Sequence, residues 1–200
     1  VSIAANRCHC ERCQNTPALN WYINILKAMY KPIHKAGKTL IVRDFSYTAE
    51  QQSLMIQACE EISDDIIIAL KAQPHDYYPT FPTNPEIGHT GNLREYIEFD
   101  TWGQYFGMGI APMSLVEDIK ERLDICFEKG AEGVWFRTDW ELIHDASVHA
   151  TPSLVNLYAG AMLSNNLDTD LDDIYRTWTA EGLYSPMKCA SCSQAPVKPS

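Results

Sequence analysis

Positive charge is scarce in this 200-residue chain: 16 Lys and Arg stand against 26 Asp and Glu, a formal net charge of −10. A nucleic-acid partner is thereby excluded as an expectation, because a phosphate backbone demands a basic face. Long apolar runs are missing too. None approaches the roughly 20 residues of a membrane-spanning helix, so no membrane partner is expected. A dinucleotide fingerprint is also lacking, since Gly103, Gly107 and Gly109 are spaced wrongly for that turn. Cysteine is present, but its seven copies are an odd number, which rules out complete pairing within one chain. The chain starts at Val1 with no signal-peptide pattern, which implies a fragment or a trimmed chain.

What is there is an ordinary globular balance, 46% hydrophobic and 21% charged, in a chain long enough for a sizeable core. Helical spacing through Trp21, Ile25, Leu26, Met29 and Ile33 predicts a helix over 21–34, stopped by Gly37. An apolar run over 39–45 predicts a strand, after which Thr48 caps a helix carrying Leu54, Met55, Ala58 and Ile62. The β-branched run 65–71 predicts a buried strand of the kind parallel sheets use. Residues 73–92, rich in Pro, Thr and Asn, predict a functional loop. Strands at 95–100 and 133–137 flank a helix over 114–129 ended by Gly130, and helices at 153–164 and 170–180 follow.

Strand and helix thus alternate four times, which predicts an α/β protein with parallel βαβ units. Four units are half of what closes a (β/α) TIM-type barrel. The expected architecture is the C-terminal half of such a barrel plus closing helices over residues 1–185, with a Cys- and Pro-containing tail at 186–200. A doubly wound open sheet is the alternative. An isolated half-barrel leaves sheet edges open, so a homodimer is expected.

Each predicted strand ends in charge: Arg43-Asp44, Lys71 with Asp76, Glu98 with Asp100, and Arg137 with Asp139. In a parallel barrel those ends converge on one mouth, where active sites lie. Asp76, Glu98 and Asp100 are the carboxylates for acid–base work. Arg43, Lys71 and Arg137 suit an anionic ligand, Arg bidentately. His75, Gln104 and Asp139 complete the expected substrate contacts, and Trp102, Tyr105, Trp135 and Trp140 offer flat faces for sugar rings. Cys59 and Cys126 fall in apolar helical patterns and read as buried thiols. Cys8, Cys10, Cys13, Cys189 and Cys192 compose a tetrahedral zinc site only if the chain ends meet. Local disulfides or free thiols are the simpler reading, so neither a metal nor a cofactor is expected.

On these residues the chain resembles the microbial α-glucuronidases. Residues 40–47, with Arg43 followed by an aromatic and Tyr47, resemble one strand of that family. Residues 66–77 resemble the next, in which a Lys precedes a catalytic Asp across a short Pro-containing turn. Residues 96–107 resemble the strand ending in a Glu-Tyr-x-Gly element, and 156–178 resemble the helices that close the barrel. The resemblance implies a glycoside hydrolase that removes a uronic acid from a polysaccharide with inversion, using an acid and a base about 6.5–9.5 Å apart. It places Asp76 on the base side and Lys71 and Arg43 at the uronic carboxylate or nearby hydroxyls. Two positions depart from the pattern. Gln104 stands where the family has a second base-side carboxylate, and Glu11 is the one carboxylate where the family has its acid. A non-catalytic carbohydrate-binding relative and a thiol- or metal-based interaction domain are the competing readings.

Overall fold

The computed structural model describes residues 2–4, 8–78, 80–103, 112–138 and 148–180. The chain divides into two compact units: Val1–Phe99 with Glu121–Trp135, and Asp100–Lys120 with Phe136–Ser200. Among the described residues, nine elements run up to β5: β1 (Ser2–Ala4), α1 (Glu11–Gln14), α2 (Ala18–Lys35), β2 (Ile41–Phe45), α3 (Ala49–Glu60), β3 (Ile67–Lys71), β4 (Arg94–Asp100), α4 (Val116–Glu128) and β5 (Gly133–Arg137).

The α/β alternation expected from the sequence is present, with one strand more than the pattern revealed. β1 pairs in parallel with β2, β2 with β3, and β3 with β4. The strands lie in the order β1-β2-β3-β4-β5, without the reversal of a doubly wound sheet. Among the described residues, no helix is long and apolar enough to cross a membrane.

Local chemistry accounts for the element ends. Thr48 Oγ1 accepts from the Gln51 amide at 3.2 Å and so caps α3. Gly37, at φ 65°, takes the left-handed step after α2 that a side chain would resist. Alternation along the strands then divides the sheet into two faces. Val42, Ile68, Leu70 and Ile97 are fully buried on one of them, together with Leu26 of α2 and Met55, Ala58 and Cys59 of α3. The Val, Ile, Leu and Met side chains among them each contribute about 1.5–3 kcal/mol when fully buried. The other face carries Arg43, Ala69, Lys71, Tyr96 and Glu98, which the parallel registers bring side by side.

In the second unit, α5 (Leu154–Asn165) and α6 (Leu171–Ala180) follow a 3-10 turn at Val148–Ala150. Asn156 on α5 is wholly buried, and its amide ties two backbone segments at three points. Its Nδ2 donates to the Thr101 carbonyl at 3.0 Å and the Met113 carbonyl at 2.8 Å, and its Oδ1 accepts from the Leu115 amide at 2.6 Å. Gly160 is required for packing, since a Cβ there would lie 2.5 Å from the Phe136 ring.

Glu95 on β4 is 4% exposed and accepts from the Gly88 amide at 3.0 Å. Burial pushes its carboxyl up to about 6, against the opposing pull of that amide and of Lys129. A carboxyl with a raised folded pKa holds its proton longer in the native state, so it costs stability as pH rises through that window. Glu95→Gln is therefore expected to gain stability relative to the wild type between pH 4.5 and about 6. Parallel melting curves across that range measure it, and a constant difference between the two proteins would sink the assignment.

Candidate functional site

At the C-terminal ends of β2, β3 and β4, the first unit gathers two cations and two carboxylates. The β3–β4 register aligns Lys71 with Glu98, and the β2–β3 register aligns Arg43 with Ala69. Arg43 thus lies one strand beyond Ala69 and reaches Glu98 diagonally across β3, a path that the small Ala69 side chain leaves open. Arg43 Nη2 donates to Glu98 Oε1 at 2.6 Å, and Nε donates to Oε2, so the contact is bidentate. Glu98 also accepts from the Tyr77 hydroxyl and, at 3.1 Å, from Trp135 Nε1.

Burial by itself would raise the Glu98 carboxyl, yet the Arg43 hydrogen bonds and charge, aided by Tyr77, bring it below its ordinary value of 4.5. Burial likewise opposes the charged form of Arg43, and Glu98 overcomes it. A carboxylate with four donors and 5% exposure is built to stay ionised and fixed. It is poorly suited to exchange a proton with substrate.

Lys71 is 4% exposed. Its ammonium donates to the His75 carbonyl at 2.9 Å and to Asp76 Oδ1 at 3.3 Å, and lies 4.2 Å from the centroid of the Phe45 ring. Burial lowers the Lys71 pKa, with the Asp76 charge resisting. His75 adopts φ 63°, the left-handed region. That conformation costs a β-carbon-bearing residue about 1–2 kcal/mol. It turns the His75 carbonyl onto the ammonium. Asp76 differs from Glu98 in access: its side chain is 24% exposed, and Oδ1 also accepts from the Tyr77 amide at 3.0 Å.

The segment after β3 is anchored at both ends. Asn84 Nδ2 donates to the Lys71 carbonyl at 3.1 Å, and the Asn84 amide donates to the Ala72 carbonyl at 2.8 Å. Arg122 on α4 donates to the Phe81 carbonyl at 2.9 Å and to Thr83 Oγ1 at 3.3 Å. A cavity of about 250 Å³ opens beside this loop, lined by Ser46, Thr48, Gln52, Pro74, His75 and Pro82 among others. Beneath it, Asp44 is 3% exposed and accepts from Ser46 Oγ and, at 2.6 Å, from Gln52 Nε2. Among the described residues expected at the site from sequence, only His75 lines this cavity.

Arg43, Lys71, His75, Asp76 and Glu98 are thus brought together in the first unit. Asp100, Trp102 and Arg137 belong to the second. There the two carboxylate oxygens of Asp100 accept from the Trp102 and Gly103 amides at 3.0 and 2.9 Å, the geometry of a turn. Trp102 is 2% exposed and packs with Val148, Leu154 and Leu157, so its ring offers no face to a sugar. The Arg137 carbonyl accepts from Thr101 Oγ1. Gln104 and Asp139 lie outside the described residues, as do Tyr105, Trp140, Cys189 and Cys192.

Sequence reasoning missed Tyr77 as a partner of Glu98 and Phe45 as the ring beneath the Lys71 ammonium. Phe45 was detectable, two positions from Arg43 and hence on its face. Tyr47 and Tyr78, 48% and 42% exposed, are the accessible aromatics of the two loops.

Removing Glu98 takes the bidentate carboxylate away from a half-buried guanidinium. Glu98→Ala is expected to cost about 3 kcal/mol or more, whereas the double replacement Arg43→Met with Glu98→Leu is expected to cost less. Urea unfolding of the three proteins measures this, and near-wild-type stability of Glu98→Ala would reject the counter-ion role. Because the Glu98 pKa is lowered on folding, its contribution is full above pH 4.5 and is lost as the solution is acidified further.

No family model matches the chain, and no curated protein matches it significantly.

Proposed function

We propose that the chain is part of a (β/α)-barrel glycoside hydrolase of the α-glucuronidase type, acting on a uronic-acid-containing polysaccharide or oligosaccharide. The observation that carries the reading is Asp76, a quarter-exposed carboxylate held by Lys71 beyond the C-terminal end of β3. Parallel strands in sequential order support the barrel. Right-handed crossovers without a reversal put the connecting helices on one side, and the opposite face then carries the Arg43, Lys71 and Glu98 row. In a closed barrel that row lines the interior below the mouth.

In this mechanism, Asp76 accepts a proton from the water that attacks the anomeric carbon as the glycosidic C–O bond breaks, and the departing sugar oxygen takes its proton from solvent. The Lys71 ammonium and the Tyr77 amide hold one carboxylate oxygen in place and so orient the group. Arg43 is committed to Glu98, so its part is to hold the floor of the site rather than to grip the sugar. Tyr47 and Tyr78 provide the exposed ring faces on which a pyranose can stack. A second copy is expected to cover the open sheet edges of the isolated chain.

A non-catalytic carbohydrate-binding protein is the second reading, favoured by the saturation of Glu98, which keeps that carboxylate from exchanging a proton. Asp76→Asn separates the two. For the hydrolase, the substitution is expected to lower turnover of an aryl glucuronide or a glucuronate-bearing xylo-oligosaccharide by about 10²–10⁴-fold while calorimetry shows ligand binding retained. Unchanged turnover defeats the mechanism, and binding without any turnover in the wild-type protein selects the second reading.

A further inference from the structure

Between β1 and α2, remote in sequence from the carboxylate site, Cys8, Cys10 and Cys13 converge. Their three sulfur atoms all lie within 4.8 Å of one another, and none of the three is in a disulfide. Cys8 and Cys10 are exposed and Cys13 is half-buried, so the cluster faces solvent.

The local backbone is organised around it. Cys10 precedes the short helix α1, and its amide donates to Cys8 Sγ at 3.4 Å. Gln14 Nε2 donates to the Cys8 carbonyl at 2.7 Å, and the Gln14 amide donates to the Cys10 carbonyl at 3.0 Å. These bonds draw the Cys8 end of the segment back onto the turn that carries Cys10 and Cys13. Three thiols brought together by spacings of two and three residues are more than one disulfide uses. An odd sulfur remains whichever pair is oxidised.

We propose that Cys8, Cys10 and Cys13 form a trithiolate site for a soft, thiophilic metal ion, Zn²⁺ or Cu⁺. Zinc–thiolate bonds of about 2.3 Å place the sulfurs of a tetrahedral site about 3.8 Å apart, which the cluster reaches by a small contraction. Copper(I) with three thiolates needs similar separations. Thiolate donors select these ions over Mg²⁺ and Ca²⁺, which require oxygen. Three protein ligands leave a fourth position on zinc for water or an exchangeable donor, and exposure of the cluster makes the ion exchangeable. Bound metal would also fasten the segment that leads into α2. The proposal is independent of the glycosidase reading.

The test uses the full chain, reduced and stripped of metal. Zn²⁺ and, under anaerobic conditions, Cu⁺ are titrated in competition with a chromophoric chelator, and Co²⁺ serves as a spectroscopic probe. One ion per chain is expected, with a sulfur-to-cobalt charge-transfer band and tetrahedral d–d absorption. Cys8→Ser, Cys10→Ser and Cys13→Ser are each expected to weaken retention by more than about 100-fold, beyond the 10–100-fold of a group that merely orients a ligand. Far-UV circular dichroism of the variants checks that the fold persists. Retention of Zn²⁺ or of Cu⁺ supports the site and identifies the ion. Failure to hold either ion overturns the proposal, as does undiminished binding by the triple Ser variant. The double variant Cys189→Ser with Cys192→Ser is expected to bind as the wild type does. Loss of binding there, with all three N-terminal thiols intact, also overturns a self-sufficient trithiolate site.

Discussion

A half-buried guanidinium paired with a buried carboxylate on one face of a sheet imposes a demand that hydrophobic packing does not. Either charge left alone would cost several kcal/mol, so the strands that carry them have little freedom to slip. Arg43 is on β2 and Glu98 on β4, with β3 between them. A slip of one residue in either pairing would turn one partner to the opposite face. The two registers, Arg43 beside Ala69 and Lys71 beside Glu98, are therefore fixed by electrostatics as well as by the apolar layer behind them. Ala69 belongs to the same constraint, because a larger side chain there would obstruct the diagonal contact.

The loop after β3 depends on that arrangement in turn. Tyr77 reaches back to Glu98 while the neighbouring Asp76 accepts from Lys71. Adjacent residues on one short turn are thus secured to two different ion pairs, and the left-handed His75 is the bend that allows it. Arg122 holds the far end of the loop from α4. The result is one accessible carboxylate on a rigid support, with the other carboxylate locked beneath it. Rigidity of this kind is what positions a reacting group, since the supporting hydrogen bonds fix its rotamer.

Much of the fold could be read from the sequence because its signals were local. The β-branched run at 67–71, the cap at Thr48 and the glycines at 37 and 130 each act over a few residues, and the elements begin and end near them. β1 escaped notice because three residues are too few to establish a period. The site was legible as a set of residue types at strand ends, and less so as a set of roles. Asp76 and Glu98 look alike in sequence, and what separates them is four donors arriving from β2, β5 and the loop. Trp102 reads equally well as a sugar platform or as a core residue, and long-range packing with Val148 and Leu154 decides for the core. Tyr77 could not be assigned at all, because nothing local indicates that its hydroxyl ends on a strand 21 positions away.

Charge balance also bears on how an anionic sugar would be recognised. Arg43 and Lys71 contribute two positive charges, and Glu98 and Asp76 contribute two negative ones. A uronic carboxylate that took Arg43 would have to displace Glu98 from a bidentate contact and leave that carboxylate buried with only neutral donors. Breaking a buried pair in this way costs about 3–5 kcal/mol, comparable with the whole gain from a new charge-assisted contact. Lys71 is held less tightly, by one carboxylate oxygen at 3.3 Å and one carbonyl at 2.9 Å. An ammonium is a point charge with three donors, so it can add a ligand oxygen while keeping both of these. Of the two cations, Lys71 is therefore the one whose geometry is compatible with recognising an anion without dismantling the site. Substrate charge would be read at β3, next to the carboxylate proposed as the base, and the Arg43–Glu98 pair would remain intact throughout.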